Sequence, residues 1–139
     1  MRYLLDSNIV IFVLKDPQCI AAGRLKGTAA ADIAICSVVE GELYHGAKKY
    51  GDPAKRKAIL DGLLEPYASL PFDSACVPHY ASIRDHLDRQ GNLIGGNDLM
   101  IAAIALTHGL TVITNNCDEF HRPRAACRRL VRVRHASSC

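Results

Sequence analysis

The chain has no apolar run long enough to cross a bilayer as a helix, and its first residues lack the basic stretch and apolar core of a secretory leader. Those two absences lead to the expectation of a cytoplasmic protein with no membrane association. Paired cysteine motifs are also missing. Six cysteines are scattered along the chain and none forms a Cys-x-x-Cys pair, which removes zinc knuckles and dithiol redox sites from consideration. In a reducing compartment they are expected as free thiols, the inner ones serving as small core residues. The six histidines show no His-Glu-x-x-His or similar ligand spacing and read as surface or packing residues. With no internal repeat, low-complexity tract or interdomain linker, 139 residues are expected to form a single domain, 1–139. Its Arg-rich tail, from about residue 122, should fray at the end. Charge of one sign is not in large excess. A net charge of +3 permits a polyanionic partner without demanding one.

What the chain does have is a core. Apolar residues make up 49% of it, too many for a disordered protein. Tyr3-Leu4-Leu5 is a short apolar run that stops at Asp6, and Ile9 to Leu14 is long enough for a helix, with Ser7 and Asn8 as helix-starting residues. A short helix is expected over 18–26, closed by Gly27, and a buried strand over 32–36. Ser37 and Glu40 fit a capping box at the head of a helix over 38–49. After the break at Gly51-Asp52-Pro53, an amphipathic helix over 54–64 carries Ile59, Leu60, Leu63 and Leu64 on one face, so that two helices form an αα-hairpin. A strand within 67–72 leads to a helix starting at Asp73 and reaching about Arg89, with Pro78 making its first turn irregular. Asn97 is the expected N-cap of a helix from Asp98 to the stop at His108-Gly109, apolar nearly all round over 99–106 and therefore central. Leu110 to Thr114 is a β-branched strand, and Leu130 to Val133 a last edge strand. Strands alternating with helices give the fold class α/β. The expectation is a three-layer α/β/α domain with a mainly parallel central sheet of about four to five strands.

In such a sheet the strand ends gather on one edge, where open α/β folds place their ligands. Asp6 lies at one strand end, with capping of the next helix as the plainer reading. Thr114, Asn116 and Glu119 lie at or just past another. Asp98 falls in the first turn of the central helix, where the positive helix end favours its ionised form. Glu42 shares a face with Val38, Val39 and Gly46 rather than with Glu40, and so points inward unless it turns aside to Lys49. Four converging acids repel one another unless a cation compensates. No Lys or Arg neighbours Asp6 or Asp98 in sequence, and oxygen-only ligands suit Mg²⁺ or Mn²⁺. The residues thus point to metal-dependent phosphoryl chemistry, without giving the substrate.

Four segments in order, residues 3–8, 37–47, 94–103 and 114–120, resemble the motifs of PIN-domain ribonucleases, most closely the VapC toxins of bacterial toxin–antitoxin pairs. The resemblance runs from residue 1 to about 122. It implies a Mg²⁺-dependent endoribonuclease, usually a homodimer, acting on RNA such as transfer RNA and inhibited by a VapB-like antitoxin. Asp6 and Asp98 match the principal metal ligands, Glu42 the third acid, Glu119 the likeliest fourth, and Thr114 the family's threonine. Asn116 stands where many PIN domains carry an aspartate. The Arg-rich tail departs from the usual ending of such toxins. Its Arg128, Arg129, Arg132 and Arg134, with Lys48 and Lys49, are candidates for guiding an RNA backbone. A phosphatase using Asp6 as nucleophile is disfavoured, because no Asp-x-Asp follows the first strand. The alternative from another class is a non-catalytic RNA-binding or regulatory module. The retained acids speak against it, since a binder of polyanions gains by losing them.

Overall fold

Tyr3–Leu5 forms β1, the middle strand of a five-stranded sheet in the order β3-β2-β1-β4-β5, with every neighbouring pair parallel. The computed structural model describes residues 1–49, 51–91, 94–114 and 133–135, the last three by their backbone alone. The other strands are β2 (Ile33–Cys36), β3 (Ala68–Leu70), β4 (Thr111–Thr114) and β5 (Val133–His135). Every residue of β2 is buried, and successive side chains of a strand point to opposite faces, so both faces of the sheet are covered there. Tyr3 lies opposite Ile33 on one side and Thr111 on the other, and Leu5 opposite Ile113.

The helices are α1 (Ser7–Lys15), α2 (Ile20–Lys26), α3 (Ser37–Ala47), α4 (Pro53–Leu64), α5 (Val77–Arg89) and α6 (Gly96–His108). As α6 is apolar nearly all round, Ile101 to Ala105 are buried without a break. It packs against α5 and ends at Gly109. That glycine is left-handed, with φ 65°, and the Leu110 amide reaches back to the Ala105 carbonyl at 2.8 Å. Pro78 stands in the first turn of α5, where its missing N–H costs nothing, after a short 3₁₀ turn at 74–76 capped by Asp73. The α3–α4 hairpin is present and is laced by a hydrogen bond from the Tyr44 hydroxyl to Asp61, 2.6 Å.

Asp6 is the N-cap of α1, as its plainer reading has it, with Ser7 and Asn8 in the helix's first turn. Several local expectations change. The Ser37–Glu40 capping box does not form: Cys36 occupies the cap position, Ser37 is exposed, and Glu40 instead accepts from the Ser69 hydroxyl at the sheet edge, 2.6 Å. Helix α6 begins earlier than Asn97 would set it, because Gly95 (φ −59°, ψ 148°) is the extended cap residue. Ile59 flanks the apolar face of α4 and is 50% exposed, while Leu60 and Leu64 are buried. The edge strand after β4 is found at Val133–His135, starting three residues later and ending two residues later than the expected Leu130–Val133.

Candidate active site

Chain direction decides where the acids lie. Connections after β1 lead outward to β2 and β3, whereas β4 sits on the other side of β1 with β5 beyond it. The order therefore reverses between β1 and β4, and the crevice at their carboxyl ends is the topological switch point. Asp6 follows β1 there and Thr114 ends β4 there. The Asp6 amide donates to the Ile113 carbonyl at 2.9 Å, which ties the two ends together.

Asp6 is only 2% exposed, yet both carboxylate oxygens are served. Oδ1 accepts from the Ser7 amide at 2.8 Å, and Oδ2 from the Thr114 hydroxyl at 3.1 Å. The capping role and the site role of Asp6 are thus carried by different oxygens of one carboxylate. Thr114 is fully buried. The Ser7 hydroxyl donates to Glu42 Oε2 at 3.0 Å, so Glu42 is held toward the Asp6 site by the residue next to Asp6. The inward reading of Glu42 is the one found. Ser7 is the residue that sequence reasoning missed. It served there as a helix starter, and the one available signal was its place directly after Asp6 in a helix's first turn.

Asp98 is half-buried in the first turn of α6. Helix α6 runs back against the strand direction before the chain enters β4, which brings its amino end to the edge where β1 and β4 finish. The Asp98 carboxylate folds back over the helix start: a Cβ added to Gly95 would lie 3.9 Å from Oδ2. Gly96 has open space where a Cβ would stand, so tight packing among the described residues does not require that glycine. Asn116, Glu119 and the tail arginines Arg128, Arg129 and Arg132 lie outside the described residues, as does the side chain of Arg134. Among the described residues no three His, Cys, Asp or Glu side chains are grouped closely enough to hold one ion. Asp6 and Glu42 are linked through Ser7, whose amide and hydroxyl each donate to one of them.

Cys36 closes the floor beside Asp6. Burial pushes its thiol up to about 11, the amides of Val39 and Val38 pull the other way, and the charges of Asp6 and Glu40 add to the rise. It is a protonated core thiol at neutral pH, in keeping with the small-core-residue reading. On the hairpin, the Lys57 ammonium and the Tyr44 hydroxyl hold the exposed Asp61 carboxyl below its usual range, and that same bond raises the Tyr44 phenol to about 12. No helix among the described residues is long and apolar enough to cross a membrane.

The PIN domain model matches residues 3–125. The chain is 35% identical over 122 residues to "Ribonuclease VapC2" of Haemophilus influenzae, covering 88% of this chain and 92% of that protein. It is equally similar, with the same coverage, to "tRNA(fMet)-specific endonuclease VapC" of Shigella flexneri. Among solved structures, a DNA-bound VapBC complex from Salmonella typhimurium superposes with a TM-score of 0.85 at 30% identity, covering 98% of each chain. VapBC2 of Rickettsia felis, bound to a promoter DNA fragment, superposes with a TM-score of 0.82 at 29% identity, covering 97% of this chain and 98% of that one.

Proposed function

The chain belongs to the PIN-domain family as a relative of its VapC ribonucleases, and from that premise we propose that it is an endoribonuclease, the toxin of a VapBC-type pair. The observation that carries the reading is the hydrogen-bonded line Thr114–Asp6–Ser7–Glu42 at the switch point between β1 and β4. Capping α1 occupies one oxygen of the buried Asp6 carboxylate, and the second is held by Thr114 on β4, which the cap does not require.

The donor set suits a hard cation, for the expected site residues offer carboxylate oxygens and no sulfur or imidazole. Asp6 and Glu42, linked through Ser7, would be the start of a Mg²⁺ or Mn²⁺ site, with Asp98 drawn in on binding and Glu119 or Asn116 supplying a further oxygen. When bound, the ion supplies an activated water and a counter-charge for the phosphodiester oxygens. The chain's own residues do the positioning. Thr114 and the Ser7 amide keep the Asp6 carboxylate in one orientation. The Ser7 hydroxyl orients Glu42. The amino end of α6 gives Asp98 a positive environment.

The substrate class is RNA. Transfer RNA is the first candidate, because a relative of equal similarity is named for a transfer RNA. A VapB-like antitoxin is the proposed partner, since the similar structures are VapBC complexes, and a homodimer is the proposed assembly. The test is cleavage of total RNA by purified, antitoxin-free protein with Mg²⁺ or with EDTA, for wild type, Asp98→Asn and Glu40→Gln. Asp98→Asn should cut more than about a hundredfold more slowly, the loss of several kcal/mol of charge stabilisation. Glu40→Gln, whose carboxylate faces Ser69 at the sheet edge, should cut normally. An Asp98→Asn protein cutting at near wild-type rate would overturn the assignment.

A further inference from the structure

The described residues contain one feature beside the acidic crevice that the reaction does not use. A cavity of about 260 Å³ opens between α5 and the start of α6, lined by Tyr80, Arg84, Leu87 and Asp88 on α5, by Ile94, and by Gly96 and Leu99 on α6. Gly96 and Leu99 are about one helical turn apart and share a face of α6, and Asp98 stands between them in sequence on another side of the helix. The cavity is therefore built on the same first turn of α6 that carries the proposed acid.

We propose that this cavity receives one unstacked nucleobase of the RNA next to the cleaved bond, a reading that rests on the ribonuclease function above. The volume lies just below the range of drug-sized ligand pockets, which suits one ring system rather than a larger ligand. Recognition of single-stranded RNA calls for an aromatic face, a guanidinium and a few edge-reading groups, and the cavity has each of these. The half-buried Tyr80 ring is held edge-on by Phe72, with centroids 5.7 Å apart at 75°, so a base meets a fixed wall. Arg84 donates to the Tyr80 hydroxyl at 3.2 Å, which ties the guanidinium to the ring. The recorded ion pair of α5 joins Asp85 to Arg89, and among the described residues Arg84 and Asp88 take part in no ion pair. Both face the cavity with their charges available: Asp88 accepts from base N–H groups, and Arg84 meets acceptors or the adjoining phosphate. Leu99 and Ile94 supply the apolar lining a base face needs.

The experiment titrates the ¹⁵N-labelled full chain, in EDTA, with AMP, CMP, GMP and UMP, and follows the amides of Leu87, Gly96 and Leu99. At least one nucleotide should give saturating shifts at those residues, with a Kd at or below about 10 mM. Tyr80→Leu should weaken binding by about tenfold or more, and Tyr80→Phe, which keeps the ring, by no more than about twofold. The same spectra report whether each variant is folded. Should Tyr80→Leu unfold, Arg84→Gln replaces it and should weaken binding several-fold. Absence of saturating shifts, or equal affinity in wild type and in a folded Tyr80→Leu or Arg84→Gln, overturns the proposal. Cleavage of total RNA by the same wild-type preparation separates the two readings. Cleavage without nucleotide binding removes the base pocket alone, and binding without cleavage keeps a nucleotide pocket and removes the ribonuclease function.

Discussion

Replacing Thr114 by valine asks whether the hydroxyl beneath the site acts through Asp6. Valine keeps the β-branched shape that suits the end of β4 and deletes the donor that meets Asp6 Oδ2 at 3.1 Å. Both residues are closed to solvent, Thr114 fully and Asp6 to 2%, so water does not readily replace the lost donor. A hydrogen bond to a charged group contributes about 1.5–3 kcal/mol. The added methyl surface offsets roughly 0.8 kcal/mol of that, which leaves a destabilisation of about 1–2 kcal/mol. For a chain of this size the melting point should fall by about 3–8 °C. The chain has no tryptophan, so urea unfolding in EDTA is best followed by far-UV circular dichroism, with an unchanged m-value as the check on two-state behaviour. The decisive form is a cycle with Asp6→Asn. Once the carboxylate charge is gone, Thr114→Val should cost less, with a coupling of at least about 0.5–1 kcal/mol. A Thr114→Val protein within about 0.5 kcal/mol of wild type, or strict additivity with Asp6→Asn, would refute the view that the hydroxyl serves the carboxylate.

Other outcomes follow from the same structure. The Cys36 thiol is raised from 9.0 to about 11, so between those values the folded state holds a proton that the unfolded chain releases. Stability should be unaffected by this group below about pH 9 and fall as pH rises toward 11, by on the order of 2 kcal/mol, and Cys36→Ala should show a correspondingly smaller loss between pH 8 and 10.5. Gly109→Ala should destabilise by about 1 kcal/mol through backbone strain alone, because φ is 65° and nothing stands within 4 Å of the added Cβ; a neutral result in urea unfolding would contradict the left-handed cap. Replacing Arg128 and Arg129 together by Glu should raise KM for RNA and lower its salt dependence by a slope of about 1.4, at roughly 0.7 per phosphate contact, whereas an unchanged slope with failed antitoxin binding assigns the tail to the partner.

Much of the fold was legible because its signals are local. The apolar run of β1, the all-round apolar character of α6, the glycine that closes it and the irregular start that Pro78 brings to α5 each follow from neighbours a few residues apart, although α5 itself begins at Val77 rather than Asp73. Local rules failed where two acceptable local partners competed and a distant one won. Ser37 and Glu40 have the spacing of a capping box, but the Ser69 hydroxyl, 29 residues from Glu40, takes that carboxylate because β3 lies beside β2. The cap at Asp6, by contrast, was readable locally, because the chain leaves β1 in extended geometry at that residue.

Among the described residues the candidate acids could be named from sequence: Asp6 stands at a strand end, Asp98 in the first turn of a helix and Glu42 on a helix's inward face. Their association could not. Thr114 reaches Asp6 across 108 residues of chain only because β4 inserts directly beside β1, and Ser7 reaches Glu42 across 35 because α1 packs against α3. Side-chain type and spacing thus determined which groups could do chemistry and at which ends of their elements they stand. Strand order and helix packing decided which of those groups share a hydrogen bond. The physical reason is reach: a hydrogen bond extends about 3 Å, while an element's own periodicity carries no information about which element folds beside it.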